Sequence, residues 1–171
     1  MIRELEKSEL AIVQELAYKI WPSTFGEILS TEQIEYMLDW MYNLKTLAQQ
    51  KEEGHRFFCY ENEQGVPIAF LAVAKDLESH RLKIHKLYVL PEKQTKGVGK
   101  ALLFKAFEFA KAQGMSTVYL NVNRYNKAVD FYQKMGMKIT HEEDISIGNG
   151  YLMEDYVFEI KLTEANIGVN D

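Results

Sequence analysis

The sequence predicts an α/β protein, a single domain with a mixed sheet of about six to seven strands and helices on both faces. Three observations lead there. After Gly54, β-patterned and helix-patterned runs alternate, which calls for helices laid over a sheet. The run Pro67 to Lys75 is nearly all apolar, as expected of a strand covered on both sides. From Lys83 to Gly114, a strand-like segment, a glycine-bearing turn and a long helical pattern follow without a break. At 171 residues, one domain with a substantial core is the economical reading, and no repeat, linker or low-complexity stretch divides it.

Met1 to Leu5 reads as a short edge strand. Ser8 precedes a helical pattern with Leu10, Val13, Leu16, Ala17 and Ile20 on one face. That helix is expected to stop before Pro22, because a helical proline loses a donor and crowds the preceding turn. Trp21 to Gly26 then reads as a loop. Ser30 or Thr31 caps a second helix, with Ile34, Met37, Leu38, Met41, Leu44 and Ala48 recurring at helical spacing as far as Gly54. Arg56 to Glu61 and Pro67 to Lys75 are two strands joined at Asn62-Glu63-Gln64-Gly65, and Leu82 to Leu90 is the next strand. The helix after Gly99 turns Leu102, Leu103, Ala106, Phe109 and Ala110 toward a core. Thr117 to Val122 is β-rich, and Asn126 to Met135 is a helix stopped by Gly136. Met137 to Glu143 and Leu152 to Leu162 form a hairpin with Asn149-Gly150 in its turn, and the tail after Thr163 is expected to fray.

Composition narrows the function. Apolar residues make up 47% and charged residues 26%, ordinary for a globular protein. A net charge of −5 without a basic cluster argues against nucleic acid as a partner and is compatible with a cationic substrate. No apolar run is long enough for a bilayer and the amino terminus is not signal-like, so no membrane partner is expected. The lone Cys59 cannot form an internal disulfide and points to a reducing cytoplasm. Between Phe58 and Tyr60 it reads as a buried, inert thiol. The four histidines show no metal-ligand spacing, so no bound metal is expected.

The candidate site is the turn between Val89 and the following helix. The first N–H groups of a helix lack partners within it and carry the positive end of its dipole. Gly97 and Gly99 leave those donors open to a phosphate, and Lys96 and Lys100 add positive charge. Two common phosphate loops do not fit. A Walker loop needs glycine where Gln94 stands and Ser or Thr where Ala101 stands. A dinucleotide fingerprint needs a third glycine at Leu102.

Gln94-x-x-Gly97-x-Gly99, following Leu87-Tyr88-Val89-x-Pro91, resembles the acetyl-CoA loop of the GCN5-related N-acetyltransferases, the GNAT superfamily. A second segment, Asn126-x-Ala128-x-x-Phe131-Tyr132-x-Lys134-x-Gly136, matches in the expected order. The resemblance runs from about Phe57 onward and implies a largely antiparallel sheet with one splayed parallel pair. It further implies acetyl-CoA as co-substrate. The backbone of Gln94, Thr95, Lys96, Gly97, Val98, Gly99 and Lys100 would hold the pyrophosphate. The segment Leu87, Tyr88, Val89 would run along pantetheine, with Asn126 and, more weakly, Asn121 orienting the coenzyme. Tyr132 occupies the position of the tyrosine that faces the coenzyme sulfur. His85 stands where relatives carry a glutamate that takes the amine proton. That is a departure, although imidazole accepts a proton near neutrality.

The resemblance implies a primary amine as acceptor, attacking the thioester directly in a ternary complex with no need of Cys59. Trp21 to Met41, together with Asp144-x-x-x-Gly148-x-Gly150-x-x-Met153-x-Asp155-Tyr156, resembles bacterial polyamine (spermidine/spermine) acetyltransferases. Glu27, Glu32, Asp39, Glu154 and Asp155 are the carboxylates at hand for a polycation. A protein amino-terminal acetyltransferase and a non-catalytic acyl-CoA-binding regulator stay open beside this reading. A homodimer through the C-terminal strands is compatible with the resemblance.

Overall fold

The computed structural model describes Met1 to Thr163, except for the side chains of Gln94, Thr95 and Lys96. The expected frayed tail lies outside the described residues. The elements in chain order are β1 (Ile2–Glu4), α1 (Ala11–Phe25), α2 (Thr31–Tyr42), α3 (Leu44–Glu52), β2 (Arg56–Glu61), β3 (Pro67–Asp76) and β4 (Arg81–Val89). There follow α4 (Val98–Ala112), β5 (Thr117–Asn123), α5 (Ala128–Lys134), β6 (Lys138–Ser146) and β7 (Leu152–Lys161). The sheet is mixed, in the order β1-β2-β3-β4-β5-β7-β6. Strands β1/β2, β2/β3, β5/β7 and β6/β7 pair antiparallel, and β4/β5 pair parallel. This is the α/β fold with a parallel pair that the sequence predicts.

The chain divides into two compact units, Met1–Ala74 with Lys86–Leu103, and Lys75–His85 with the chain from Phe104 onward. A single domain remains our proposal, since β4 and α4 each continue through the division. In the first unit, Trp21, Tyr42, Phe57 and Phe70 are fully buried. The Trp21 ring meets Phe25, Tyr42 and Tyr88 at 4.6, 5.6 and 5.7 Å between centroids. Lys86 is buried in the same unit, a feature the sequence reading missed. Its ammonium donates to Gln50 Oε1 at 3.0 Å and lies 5.4 and 5.9 Å from the Tyr42 and Phe57 ring centroids. An amide oxygen and two ring faces offset part of the cost of removing that charge from water.

In the second unit, β5 alternates buried and half-buried residues, so Val118, Leu120 and Val122 line an apolar face while Tyr119, Asn121 and Asn123 line a polar one. The Tyr119 hydroxyl donates to Asp76 at 2.7 Å, which with Ser79 holds the Asp76 carboxyl down to about 2. Burial and the same bond push Tyr119 up to about 12. Arg81 covers the Tyr119 ring at 3.8 Å and pairs with Glu159 at 2.9 Å.

Four local expectations need correction. Helix α1 runs through Pro22 to Phe25, and Ser8 lies in a short 3₁₀ turn before it. Trp21 and Phe25, one turn apart and both buried, continue the apolar stripe past the proline, so packing outweighs the lost donor. The predicted second helix is two helices. Asn43, extended at ψ 149°, ends α2 and caps α3: its Oδ1 accepts the Thr46 N–H at 2.8 Å and its Nδ2 donates to the Asp39 carbonyl at 2.8 Å. The break re-phases the stripe, burying Leu47 and leaving Leu44 exposed. Helix α4 begins at Val98 and turns Phe107 rather than Phe109 into the core. Helix α5 begins only at Ala128, with Asn126 outside it.

Asn43→Ala should lower stability by about 1–2 kcal/mol through loss of the α3 cap, whereas Asn43→Asp should retain most of it. The measurement is the urea midpoint at constant m. A wild-type midpoint for Asn43→Ala would mean that packing alone holds the α2–α3 break.

Candidate functional site

In the first unit, β4 leads at Leu90 into a 3₁₀ turn, Pro91–Lys96, that touches α1 and ends at Gly97. Gly97 has φ 74° and ψ 11°, the left-handed conformation that a side chain disfavours by about 1 kcal/mol. A Cβ placed there would meet nothing within 4 Å, so the turn faces open space. The ladder of α4 starts with Ala101 N–H donating to the Gly97 carbonyl at 3.0 Å. The N–H groups of Val98 and Gly99 precede that first bond and by helix geometry have no partner within the helix. Val98 is buried and anchors the first turn, while Gly99 and Lys100 are half-buried. The donor set and the room before it fit a diphosphate. The side chain of Lys96, counted on for positive charge, lies outside the described residues, as do those of Gln94 and Thr95.

The Tyr88 ring is packed on Trp21, Phe25 and Phe70, the last two at 6.3 and 5.7 Å. Tyr88 is half-buried. Leu87 is half-buried and Val89 buried.

The second unit carries the other candidate residues. The parallel ladder has the registers Leu82↔Val118, Lys83↔Tyr119 and Ile84↔Leu120. Directly paired residues share a face and successive ones alternate, so Arg81, Lys83 and His85 lie with Tyr119 and Asn121. The position of Arg81 and Lys83 over the Tyr119 ring bears this out. His85 is exposed on that polar face. Tyr132 lies on the opposite one. Its ring is 5.8 Å from that of Phe158, which pairs with Leu120, and 5.1 Å from Phe131. Tyr132 is 5% exposed and burial pushes its hydroxyl well above the usual phenol range, so it stays protonated. Among the described residues its hydroxyl makes no hydrogen bond.

Asn121 Nδ2 donates to Glu143 Oε2 at 3.0 Å and to Asp155 Oδ2 at 3.3 Å. Two carboxylates fix the amide with its nitrogen toward them, which leaves its carbonyl oxygen for a ligand. A ring N–H of His141 donates to Glu143 Oε1 at 2.9 Å, and that bond, then the one from Asn121, hold Glu143 below the usual carboxylate range. Asp155 moves the other way, pushed up by burial against the bond from Asn121. It is 1% exposed, and its Oδ1 is buried without a partner among the described residues. Sequence reasoning named Asp155 only as an available carboxylate and missed Glu143, whose place depends on strand pairing.

Asn126 Oδ1 accepts the Ala128 N–H at 2.9 Å, a turn that opens α5 and leaves the Asn126 amide nitrogen for other work. Just before it, Arg124 ties the β5–α5 connection to β6 through Glu142 at 2.9 Å and through Asp144. Cys59 is buried and burial pushes its thiol up, as an inert core cysteine should behave. Among the described residues no group of three or more His, Cys, Asp or Glu side chains is arranged to hold a metal, and no helix is long and apolar enough to cross a membrane.

Residues 13–137 match the acetyltransferase (GNAT) family. The chain is 27% identical over 164 residues to the spermidine N(1)-acetyltransferase of Thermoplasma acidophilum, covering 90% of this chain and 94% of that one. It is 24% identical over 156 residues to the N-acetyltransferase YuaI of Bacillus subtilis, covering 90% and 88%. Among solved structures, the PaiA N-acetyltransferase of Thermoplasma acidophilum in complex with coenzyme A superposes with a TM-score of 0.79 at 27% identity, over 95% of this chain and 98% of that one. A GCN5-related N-acetyltransferase from Rhodopseudomonas palustris gives 0.80 at 20% identity, over 95% of both chains, a likeness of fold.

The raised pKa of Asp155 carries a sign that can be measured. Because the folded state favours the protonated carboxyl, its contribution to stability is present below the unfolded carboxylate value of about 3.9 and is lost as pH rises through the raised value. Asp155→Asn keeps an acceptor for Asn121 and cannot ionise. The variant should therefore be more stable than wild type to urea at pH 7, and the difference should shrink as pH falls into the carboxylate range. A pH-independent loss of stability would show that the ionised carboxylate is fully satisfied in the fold.

Proposed function

Because the chain belongs to the acetyltransferase (GNAT) family, an enzyme family that draws on acetyl-CoA, we propose that it moves the acetyl group directly to a primary amine of the polyamine class. The observation that carries this reading is the placement of Tyr132 and His85 on opposite faces of one sheet. The amine loses its proton and the sulfur departs at one carbonyl carbon, so both groups can act on it only if the thioester lies where the β4/β5 ladder, last paired at Ile84 and Leu120, has opened.

Acetyl-CoA supplies the activated carbonyl and a thiolate leaving group. Backbone N–H groups from Gln94 to Lys100 hold its diphosphate, with Gly97 shaping the turn and Gly99 keeping the donors accessible. The backbone of Leu87, Tyr88 and Val89 runs along the pantetheine arm, and the amides of Asn126 and Asn121 orient it. The Tyr132 hydroxyl, kept protonated by burial, donates to the departing sulfur. His85 takes the proton of the amine, whose unperturbed pKa is near about 10 and which must be neutral to attack. Support for a polyamine comes from the 27% identity to a spermidine acetyltransferase across nearly the full length of both chains. A cytoplasmic setting, favoured by the lone Cys59, and a homodimer belong to the same proposal.

Thiol release from acetyl-CoA across a panel of amines tests the assignment. Tyr132→Phe should lower kcat about a hundredfold with little change in the acetyl-CoA KM. His85→Ala should weaken or shift the pH profile of kcat/KM relative to wild type; an unchanged profile would take His85 out of the mechanism. Gly99→Val should weaken acetyl-CoA binding at least about tenfold. The polyamine reading fails if no amine raises thiol release while acetyl-CoA still raises the melting temperature.

A further inference from the structure

Resting on that reading, we propose that Asp155 and Glu143, bridged by Asn121, form a subsite for a second, non-reacting ammonium group of the acceptor, so that the enzyme selects a diamine or longer polyamine by length. The subsite is built by three strands of one unit. Asn121 on β5 gives its amide hydrogens to Asp155 on β7 and to Glu143 on β6. Asp155 is the buried member, and Glu143, with 39% of its side chain exposed, opens to solvent. The two Asp155 oxygens together receive one long bond of 3.3 Å, and Oδ1 lies buried with no partner among the described residues. A carboxylate held that way in a low-dielectric setting lacks donors, and leaving it so is costly.

Lys83 and Arg124 favour the ionised form of Asp155 only from a distance, and among the described residues neither donates a hydrogen bond to it. Arg124 is committed to Glu142 and Asp144. Lys83 lies 5.8 Å from the Tyr119 ring centroid and, among the described residues, makes no ion pair with Asp155. His141 is engaged with Glu143. Among the described residues no group of three or more His, Cys, Asp or Glu side chains is arranged to hold a metal. What fits is a compact cation with several N–H donors, which an alkylammonium is.

The placement relative to His85 sets the length. His85 stands on β4 one residue beyond the last register, beside Asn121, and Asp155 lies two strands away, opposite Asn123. Two strand spacings of about 4.8 Å and a two-residue offset of about 6.7 Å along the strand separate them by at least roughly 10–12 Å, more where β4 and β5 diverge. An extended alkyl chain covers that in about eight to nine bonds. The shortest diamines cannot reach from one point to the other.

The experiment compares straight-chain alkylamines with α,ω-diamines of matching length as acceptors for wild type, Glu143→Gln and Asp155→Asn. In wild type the diamine-to-monoamine ratio of kcat/KM should climb to at least about tenfold near eight to nine bonds and stay close to one for the shortest pair. Each variant should lower that ratio about tenfold, chiefly through the diamine KM, as expected for losing a charge-assisted hydrogen bond. A flat ratio in wild type, or variants that depress both acceptor series equally, overturns the subsite. Should no amine be acetylated, calorimetric binding of the eight-bond diamine decides the matter separately. Binding that Glu143→Gln weakens about tenfold supports the subsite although the enzymatic reading has failed, and no binding to wild type removes it. Thermal melts check that each variant is folded, and the half-buried Glu143 keeps the test valid if Asp155→Asn is not.

Discussion

The three registers that join β4 to β5 set the chemistry of the second unit. With Lys83 opposite Tyr119, every second residue on both strands is committed to a face: Leu82, Ile84, Val118 and Leu120 to the core, and Lys83, His85, Tyr119 and Asn121 to the polar side. A slip of β4 by one residue against β5 would turn its set over, burying Lys83 and His85 and exposing Leu82 and Ile84. The antiparallel ladder to β7 extends the same parity, putting Phe158 with Leu120 and, through Phe158, bringing Tyr132 to the apolar side. A buried tyrosine on one face and an exposed histidine on the other thus follow from the pleat. They are selected by the apolar residues that demand burial, and those residues make the register hard to change.

The polar side shows what such an arrangement costs. Asp76 and Tyr119 satisfy each other, and Arg81 closes over the ring, so that part of the face is stable and chemically quiet. Asp155 differs from them. It sits as deep as core residues do, yet only one of its oxygens has a donor. Packing gives no reason to keep a carboxylate there, because a smaller or neutral side chain would fill the place at less cost. A polar group retained against its own desolvation is where a ligand is to be sought. Lys86 in the first unit is the counter-example. It is equally buried, but its amide and aromatic surroundings account for it as structure.

Much of the fold is legible in the sequence because its determinants are local. The alternation of β5, the turn at Asn62–Gly65 and the left-handed Gly97 each announce themselves within a few residues. Expectations miss where a second partner decides. Pro22 ends a helix by local rules, but the burial of Trp21 and Phe25 carries α1 through it. Asn43 looks like any polar residue in a helical run, until its side chain is seen serving two helices at once. The choice of Phe107 over Phe109 rests on how α4 is rotated, which a stripe with apolar residues at neighbouring positions leaves undecided. At the site, the residues within the two motifs are named through resemblance to a family, whereas the partners of Asn121 lie on strands whose pairing neither resemblance nor spacing gives.

The reason lies in β6. Pairing with β7 begins with Lys138 opposite Glu159 and Ile139 opposite Phe158, and then shifts by one, so that His141 faces Val157 and Glu143 faces Asp155. Thr140 is the extra residue, and its hydroxyl donates to the Val157 carbonyl at 3.3 Å. Had the first register continued, Glu142 would stand opposite Asp155, and Glu143 would point to the other face beside Glu154. The bulge therefore turns Glu143, and with it His141, onto the face of Asn121 and His85. A bulge leaves no mark that alternation can reveal, because it breaks the alternation itself. One inserted residue in an edge strand converts a solvated acidic run into a carboxylate placed against another carboxylate. Two carboxylates brought together by a break in a ladder repel when both are ionised, and after burial the charge of Glu143 is among the causes that hold Asp155 toward its protonated form.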